Sequence, residues 1–376
     1  MGQKGHVIVS VTNDLVTDNR VSKVCDFLNS EGFSVILVGR KLKTSLPITD
    51  RNYRTKRFKL LFNKGPLFYL EYNLRLLFYL FFRKATILVS NDLDTLLANF
   101  LASKFKKVKL VYDTHEYFTE VPELVENPKK QKIWLKLEQW IFPKLKNVYT
   151  VNDSIAKIYS EKYGVSVNVV RNVAPIFKPI EKKSREQLNL PIDKFILIIQ
   201  GSGINKRRGA EEAVEAMKNC EDTFLLIIGS GDVVEELKVG IDKENLYEKV
   251  RFLPKMPYSE MMHYTMNADL GLAIDHTDIL NHKLALPNKF FDYIQAEIPI
   301  LATDIIEIRK IIEKYQIGYI LNGQLTAMRM AEIIKAIQIE YPEKIRDFKK
   351  NLLRAKKTEN WEGELIKLKE IYAHLN

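Results

Sequence analysis

Cysteine is nearly absent from this chain, with two in 376 residues. Cys25 and Cys220 stand far apart and in no metal-ligand spacing, which argues against a disulfide framework and fits a reducing compartment. Long apolar runs are missing too. The most hydrophobic stretch, residues 56–84, is interrupted by Glu71 and Arg75 before about 18 clean apolar residues accumulate, so it does not read as a membrane-spanning helix. His263, His276 and His282 show no convincing ligand spacing, and no metal is assigned. Gly229 and Gly231 supply two glycines of GxGxxG, but Val234 stands in the third place. The dinucleotide fingerprint is therefore not met, an NAD-dependent oxidoreductase is a poor reading, and no cofactor is expected. A strand-like run begins almost at the first residue, so we expect a chain without a signal peptide that works in the cytoplasm.

What is present describes a folded protein. Hydrophobic residues at 46% and charged residues at 28% are the balance of a globular chain, not a disordered one. The length points to two domains. A formal charge of +11 suits nucleic acid, a phosphorylated substrate or the anionic face of a membrane. The basic residues concentrate around apolar helices, which a lipid-linked or membrane-surface acceptor explains at least as well, and no nucleic-acid partner is expected.

The first half alternates strands and helices. His6–Thr12 is a β-branched run typical of a buried parallel strand, and a loop carrying Asp18, Asn19 and Arg20 follows it. An apolar helical face (Val21, Val24, Cys25, Leu28) and a second strand, Phe33–Arg40, come next. This order opens a doubly wound α/β domain, whose ligands bind beyond the carboxyl ends of its strands. The loop reads equally as a solvated loop with a helix cap. Residues 56–84 read either as a core helix, supported by the i,i+4 pair Glu71 and Arg75, or as a basic, aromatic surface lying on a membrane. Ala85–Asp92 is a strand running into a helix. The triplet Asp92-Leu93-Asp94 resembles a metal-binding DxD, but a helix cap is the preferred reading. Val108–Tyr112 is a strand with Asp113, His115 and Glu116 at its end, and the acidic neighbours favour a site role for His115. In Lys129–Phe142 the default core face is Ile133, Leu137, Trp140 and Ile141 with solvated lysines opposite, and membrane or acceptor contact is the other reading. Strands at Asn147–Asp153 and Val167–Pro175 close this half, and Pro175, Pro179 and the run KKSRE read as a linker.

The second half restarts the pattern. Phe195–Gly203 is a buried strand entering a glycine loop, followed by Lys206, Arg207, Arg208, Gly209 and a helix. That combination suits a diphosphate. Phe224–Asp232, Val250–Pro257 and Asp269–Asp275 supply further strands. Leu286–Asp304 then reads as a helix starting at Pro287, ended by Pro299, and feeding a buried strand. Nothing stands before Pro287 to cap the helix, so its first N–H groups suit an anion, and Asp292 suits a sugar diol. An ordinary amphipathic helix feeding the core is the other reading. Trp361, Leu365, Leu368 and Tyr372 share one face of a final helix.

The segments NDLVTDNRVSK, YDTHEYFTE, QGSGINKRRG, IIGSGD, NADLGLAI and LPNKFFDYIQAEIPILATD together resemble retaining GT-B glycosyltransferases of group one, often called family four. The resemblance covers nearly the whole chain. It implies two Rossmann-like α/β domains facing across a cleft. An acceptor domain would span residues 1–175 and a nucleotide-sugar donor domain residues 176–357, with the last helix, 358–376, packing back on the first domain. It implies transfer from a UDP- or GDP-sugar to a saccharide or lipid-linked hydroxyl, without metal and with retention, in cell-surface polysaccharide or glycolipid synthesis. It assigns the ribose to Asp292, the diphosphate to Leu286, Pro287, Asn288 and Lys289, and charge neutralisation to Arg208 with Lys206. Gly201, Ser202, Gly203 and Arg207 complete the donor loop. His115 would contact the transferred sugar, and Asp18, Asn19, Arg20 and Glu116 would line the acceptor side. Leu284 stands where the family often has a Glu, for which Asp275, Asp278 or Asn281 are substitutes, and Glu297 stands at a usual glycine. The basic residues around apolar helices add the expectation of a peripheral place at the inner face of the cell membrane. A binding protein that kept the fold without catalysis is the alternative.

Overall fold

The computed structural model describes residues 4–375 apart from positions 17, 49 and 180. The chain divides into two compact units, Met1–Asn172 with Glu364–Asn376, and Val173–Gly363. The first unit contains seven strands: β1 (Gly5–Asp14), β2 (Phe33–Lys41), β3 (Arg54–Lys59), β4 (Ile87–Asn91), β5 (Lys109–Thr114), β6 (Asn147–Thr150) and β7 (Val167–Val169). They form one parallel sheet in the order β3-β2-β1-β4-β5-β6-β7. The second unit contains β8 (Phe195–Gly201), β9 (Thr223–Gly229), β10 (Val250–Leu253), β11 (Leu270–Ala273), β12 (Ile300–Thr303) and β13 (Gly318–Leu321). Its parallel order is β10-β9-β8-β11-β12-β13.

Parallel strands need crossover helices on the sheet faces, so the central strands are apolar on both sides. Val7, Ile8 and Val9 of β1, and Ile196, Leu197 and Ile198 of β8, are fully buried for that reason. In each unit the connections run outward from the first strand in one direction and then return to its other side. The strand order therefore reverses between β1 and β4, and again between β8 and β11. A crevice opens at such a point because the flanking loops diverge to opposite faces.

Several elements depart from expectation. β3 and β13 were not anticipated. β3 is an edge strand in which only Phe58 is buried and the other residues are exposed or half-buried, so Lys and Arg mask its apolar signal. In the helix Pro128–Ile141 the expected inner residues Ile133 and Trp140 are 68% and 47% exposed, while Glu138 is fully buried. Glu138 tolerates burial because Lys162 Nζ lies 3.0 Å away and Tyr163 donates a hydrogen bond. Pro287 is the N-cap and not the first helical residue of Asn288–Ala296. Glu297 takes a left-handed conformation (φ 61°), held by Lys356 at 2.8 Å. The last helix, Trp361–Ala373, sets Tyr372 edge-on to Phe27 and Phe33, and Lys369 lies 3.3 Å from Glu31.

Candidate functional site

In the second unit the strand reversal is furnished by four pieces of backbone. β8 ends at Gly201 and releases the loop that carries the basic triplet. That loop is pinned to the end of β9: Ile204 N–H donates to Ser230 O at 3.1 Å and Ser230 N–H to Gly201 O at 3.3 Å. Gly229 (φ 141°) is obligatory here, since a Cβ would fall 1.7 Å from Gly201 O. The glycines of IIGSGD thus serve loop-to-loop approach, not a dinucleotide. Gly229→Ala is expected to destabilise the second unit by at least about 1–3 kcal/mol and to weaken nucleotide binding. Thermal unfolding checks it, and an unchanged transition would contradict this role.

Arg208 and Lys289 come from distant segments and meet at one carboxylate. Asp275, just past β11 and fully buried, lies 3.3 Å from Arg208 and 3.6 Å from Lys289. Neither oxygen of Asp275 has a hydrogen-bond partner among the described residues, so it acts through charge. It holds two cations beside the first turn of Asn288–Ala296, and that helix start carries no side-chain cap. Positive charge, a helix start without a side-chain cap and the helix dipole coincide there, which is the electrostatic form of an anion site. Arg207 turns away to Asp278 at 3.0 Å. Ser202, Gly203 and Lys206 are exposed on the loop, and the Lys206 N–H donates to Asp232 at 2.9 Å.

Asp292, one turn further in, is 8% exposed. It accepts hydrogen bonds from Gln200 and Tyr258, each at 3.1 Å, and Thr265 donates to Gln200 at 2.6 Å. This relay fixes the carboxylate at the carboxyl end of β8. Gln200 and Tyr258 escaped the sequence reading because each is ordinary in its own segment and gains meaning only across the sheet. Leu284 is buried at the end of a short helix, where it supplies no carboxylate.

The first unit has a pocket of about 160 Å³ at its own strand reversal. Thr12 and Asn13 from β1, Asn91, Asp92 and Asp94 around the end of β4, and His115, Glu116 and Phe118 after β5 line it, with Asp18 at one side. That volume is room enough for a small polar group. His115 sits between two carboxylates, Nδ1 3.2 Å from Asp92 and Nε2 3.2 Å from Asp113. Burial lowers its pKa, but Asp92 and Asp113 outweigh burial and push it up to about 9. Burial, then the Asp92 charge, raises Asp94 to about 7. The Asp113 contact lacks hydrogen-bond geometry, so His115 Nε2, like Asn91 Oδ1, has no hydrogen-bond partner among the described residues.

Asp92 does not cap the following helix as expected. It occupies the N-cap position at φ 56° without a side-chain capping bond. Its carboxylate instead accepts the His115 backbone N–H at 2.8 Å, and the positive φ carries strain of about 1–3 kcal/mol. Asp18 does cap, accepting the Val21 N–H at 3.1 Å, and Asn19 is exposed at the helix start. Arg20 is 4% exposed and bound to Asp113 at 2.7 Å and to Val170 O. It supports the pocket from behind and does not line it.

Residues 18–174 match the model of Glycosyltransferase Family 4, and residues 180–354 match that of Glycosyl transferases group 1. The chain belongs to the group 1 glycosyltransferases and has the GT-B fold. Among solved structures it is similar to sucrose-phosphate synthase from Thermosynechococcus elongatus, with a TM-score of 0.81 and 16% identity over 98% of each chain. It is also similar to HepE of Anabaena in complex with UDP-glucose, with a TM-score of 0.73 and 14% identity over 98% of this chain and 100% of that one. A lipopolysaccharide core biosynthesis glycosyltransferase, LpsD of Rhizobium meliloti, is 29% identical over 100 residues. That match spans 27% of this chain and 29% of the relative.

Proposed function

We propose that the chain transfers a sugar from a UDP- or GDP-sugar to a hydroxyl of a saccharide or lipid-linked acceptor, with retention at the anomeric carbon, in building a cell-surface polysaccharide or glycolipid. One observation carries the donor assignment: Arg208 and Lys289 gathered by buried Asp275 beside an uncapped helix start. As the glycosidic bond breaks, negative charge grows on the departing diphosphate. Arg208, Lys289, exposed Lys206 and the N–H groups of Asn288 and Lys289 stabilise that charge, and stabilisation of developing charge is the main catalytic task. The backbone of Gly201, Ser202 and Gly203 admits the diphosphate closely, with Leu286 and Pro287 shaping the opposite wall. Asp292, already oriented by Gln200 and Tyr258, accepts the ribose hydroxyls. In the first unit, His115 offers a charged donor and Asn91 an acceptor to sugar hydroxyls, with Asp18, Asn19 and Glu116 near the acceptor.

The reaction proposed needs no metal. Among the described residues no group of three or more His, Cys, Asp and Glu side chains is arranged to hold one. UDP or GDP is expected to raise the melting temperature, by about 2.7 kcal/mol of added stability at a hundredfold excess over Kd. The uncharged nucleosides should give much less. Equal shifts with nucleoside and diphosphate would remove the diphosphate site. Nuclear magnetic resonance of the first-formed product decides retention, and an inverted anomer would exclude it.

Buried Leu284 favours a second reading, a nucleotide-binding protein without turnover. Calorimetric binding of nucleotide sugars with neither transfer nor donor hydrolysis over a broad acceptor panel would establish that reading in place of the first.

A further inference from the structure

We propose that the outer face of the helix Gly65–Phe81, continued by its neighbours Leu93–Lys106 and Pro128–Ile141, lies on an anionic lipid bilayer. The helix has two apolar faces. Phe68, Tyr72, Leu76 and Leu80 recur every four residues and are buried at 4% exposure or less. Half a turn around, Leu67, Leu70, Leu74, Phe78 and, just beyond the end, Phe82 repeat at three- and four-residue intervals and are 48–84% exposed. A helix covering a sheet normally turns polar residues outward, and an apolar outer stripe marks an interaction surface.

The stripe extends sideways. Phe81 packs on Phe105, ring centroids 4.9 Å apart, and Phe105 is 76% exposed. Trp140 lies edge-on to Phe100 at 5.7 Å, and Ile133 on the same helix is exposed. No helix among the described residues is long and apolar enough to cross a membrane, so the surface rests on a bilayer without spanning it.

Charge names the occupant. Residues 56–84 carry seven Lys and Arg against one acid, Glu71. That acid is neutralised by Arg75 at 2.8 Å and by the N–H groups of Leu61 and Phe62. Pro128–Ile141 carries four lysines against Glu138, which is buried. At the end of the first helix, exposed Arg83 and Lys84 border a hollow of about 500 Å³ floored by Phe81, Phe82 and His6. Cations also stand against the neighbouring rings, Lys104 over Phe100 and Lys144 over Trp140. In that arrangement the side chains enter the acyl boundary while ammonium and guanidinium groups reach anionic headgroups. A second copy would set like charge against like charge, and nucleic acid would want the cations at the centre.

The inference stands apart from the sugar-transfer reading, since its test measures binding to lipid. The full chain is sedimented with phosphatidylcholine vesicles and with vesicles of equal parts phosphatidylcholine and phosphatidylglycerol. We expect binding to the mixed vesicles that weakens with salt and far less to the neutral ones. The triple change Leu70→Ser, Leu74→Ser and Phe78→Ser alters only solvent-facing side chains and should cut binding by about a hundredfold. Arg83→Glu with Lys84→Glu should cut it by about tenfold or more. Circular dichroism confirms that the variants remain folded. Failure of the wild type to sediment with either vesicle, or undiminished binding by the folded triple variant, overturns the proposal. So does a dimer in light scattering that the triple variant abolishes, because the face would then join two copies of the chain.

Discussion

Arg208→Ala is expected to slow sugar transfer by about two to three orders of magnitude, the usual cost of removing one preorganised charge partner from a developing anion. The loss should fall on kcat more than on KM, because the diphosphate gains charge on the way to the transition state. Arg208→Lys should recover part of it by keeping the charge while losing the guanidinium geometry. Folding should suffer less, since Arg208 is one-third exposed and Asp275 keeps Lys289 at 3.6 Å. Asp275→Asn makes the complementary change: both cations stay but nothing gathers them, so affinity for UDP or GDP should fall while both charges remain. Undiminished transfer by the folded Arg208→Ala protein would sink the diphosphate role.

The parts of this site legible in the sequence are those in which local pattern and chemistry coincide. Strands β1, β4, β5, β8, β9 and β11 are continuous apolar runs, and each delivers polar residues or glycine at its carboxyl end. Reading strand ends therefore singled out His115 and Arg208 as candidates, and it put the helix start at Pro287, one residue before Asn288. What escaped was long-range pairing. Asp275 sits at a strand end like several other acids, and only the fold reveals that Arg208 and Lys289 converge on it. Arg20 looks like a loop residue until Asp113, far along the chain, explains its burial. Glu138 inverts the apparent face of its helix because Lys162 and Tyr163 wait for it on another one. A helix in residues 56–84 was legible, but so much of its circumference is apolar that a core face and a membrane surface stayed open as readings.

Arg20→Met is expected to destabilise the first unit by about 3–5 kcal/mol, since it strands a buried carboxylate without its strongest partner. Arg20 and Asp113 are 4% and 0% exposed and 2.7 Å apart. The pH dependence follows from the same charges. Burial raises the Asp113 pKa, but Arg20 and His115 outweigh it and hold it near 2, below its ordinary 3.8. That contribution is fully present above the ordinary value and is lost as pH falls through about 2. His115 works in the opposite direction. Its folded value of about 9 exceeds the ordinary 6.5, so its contribution is present below 6.5 and is lost as pH rises through about 9. Urea unfolding across this range should show losses at both ends, and in Arg20→Met the acid loss should begin at higher pH. Adding Asp113→Asn should restore much of the missing stability, because the stranded charge is gone. If the double variant is no more stable than Arg20→Met, the ion pair is not what holds Arg20 inside the fold.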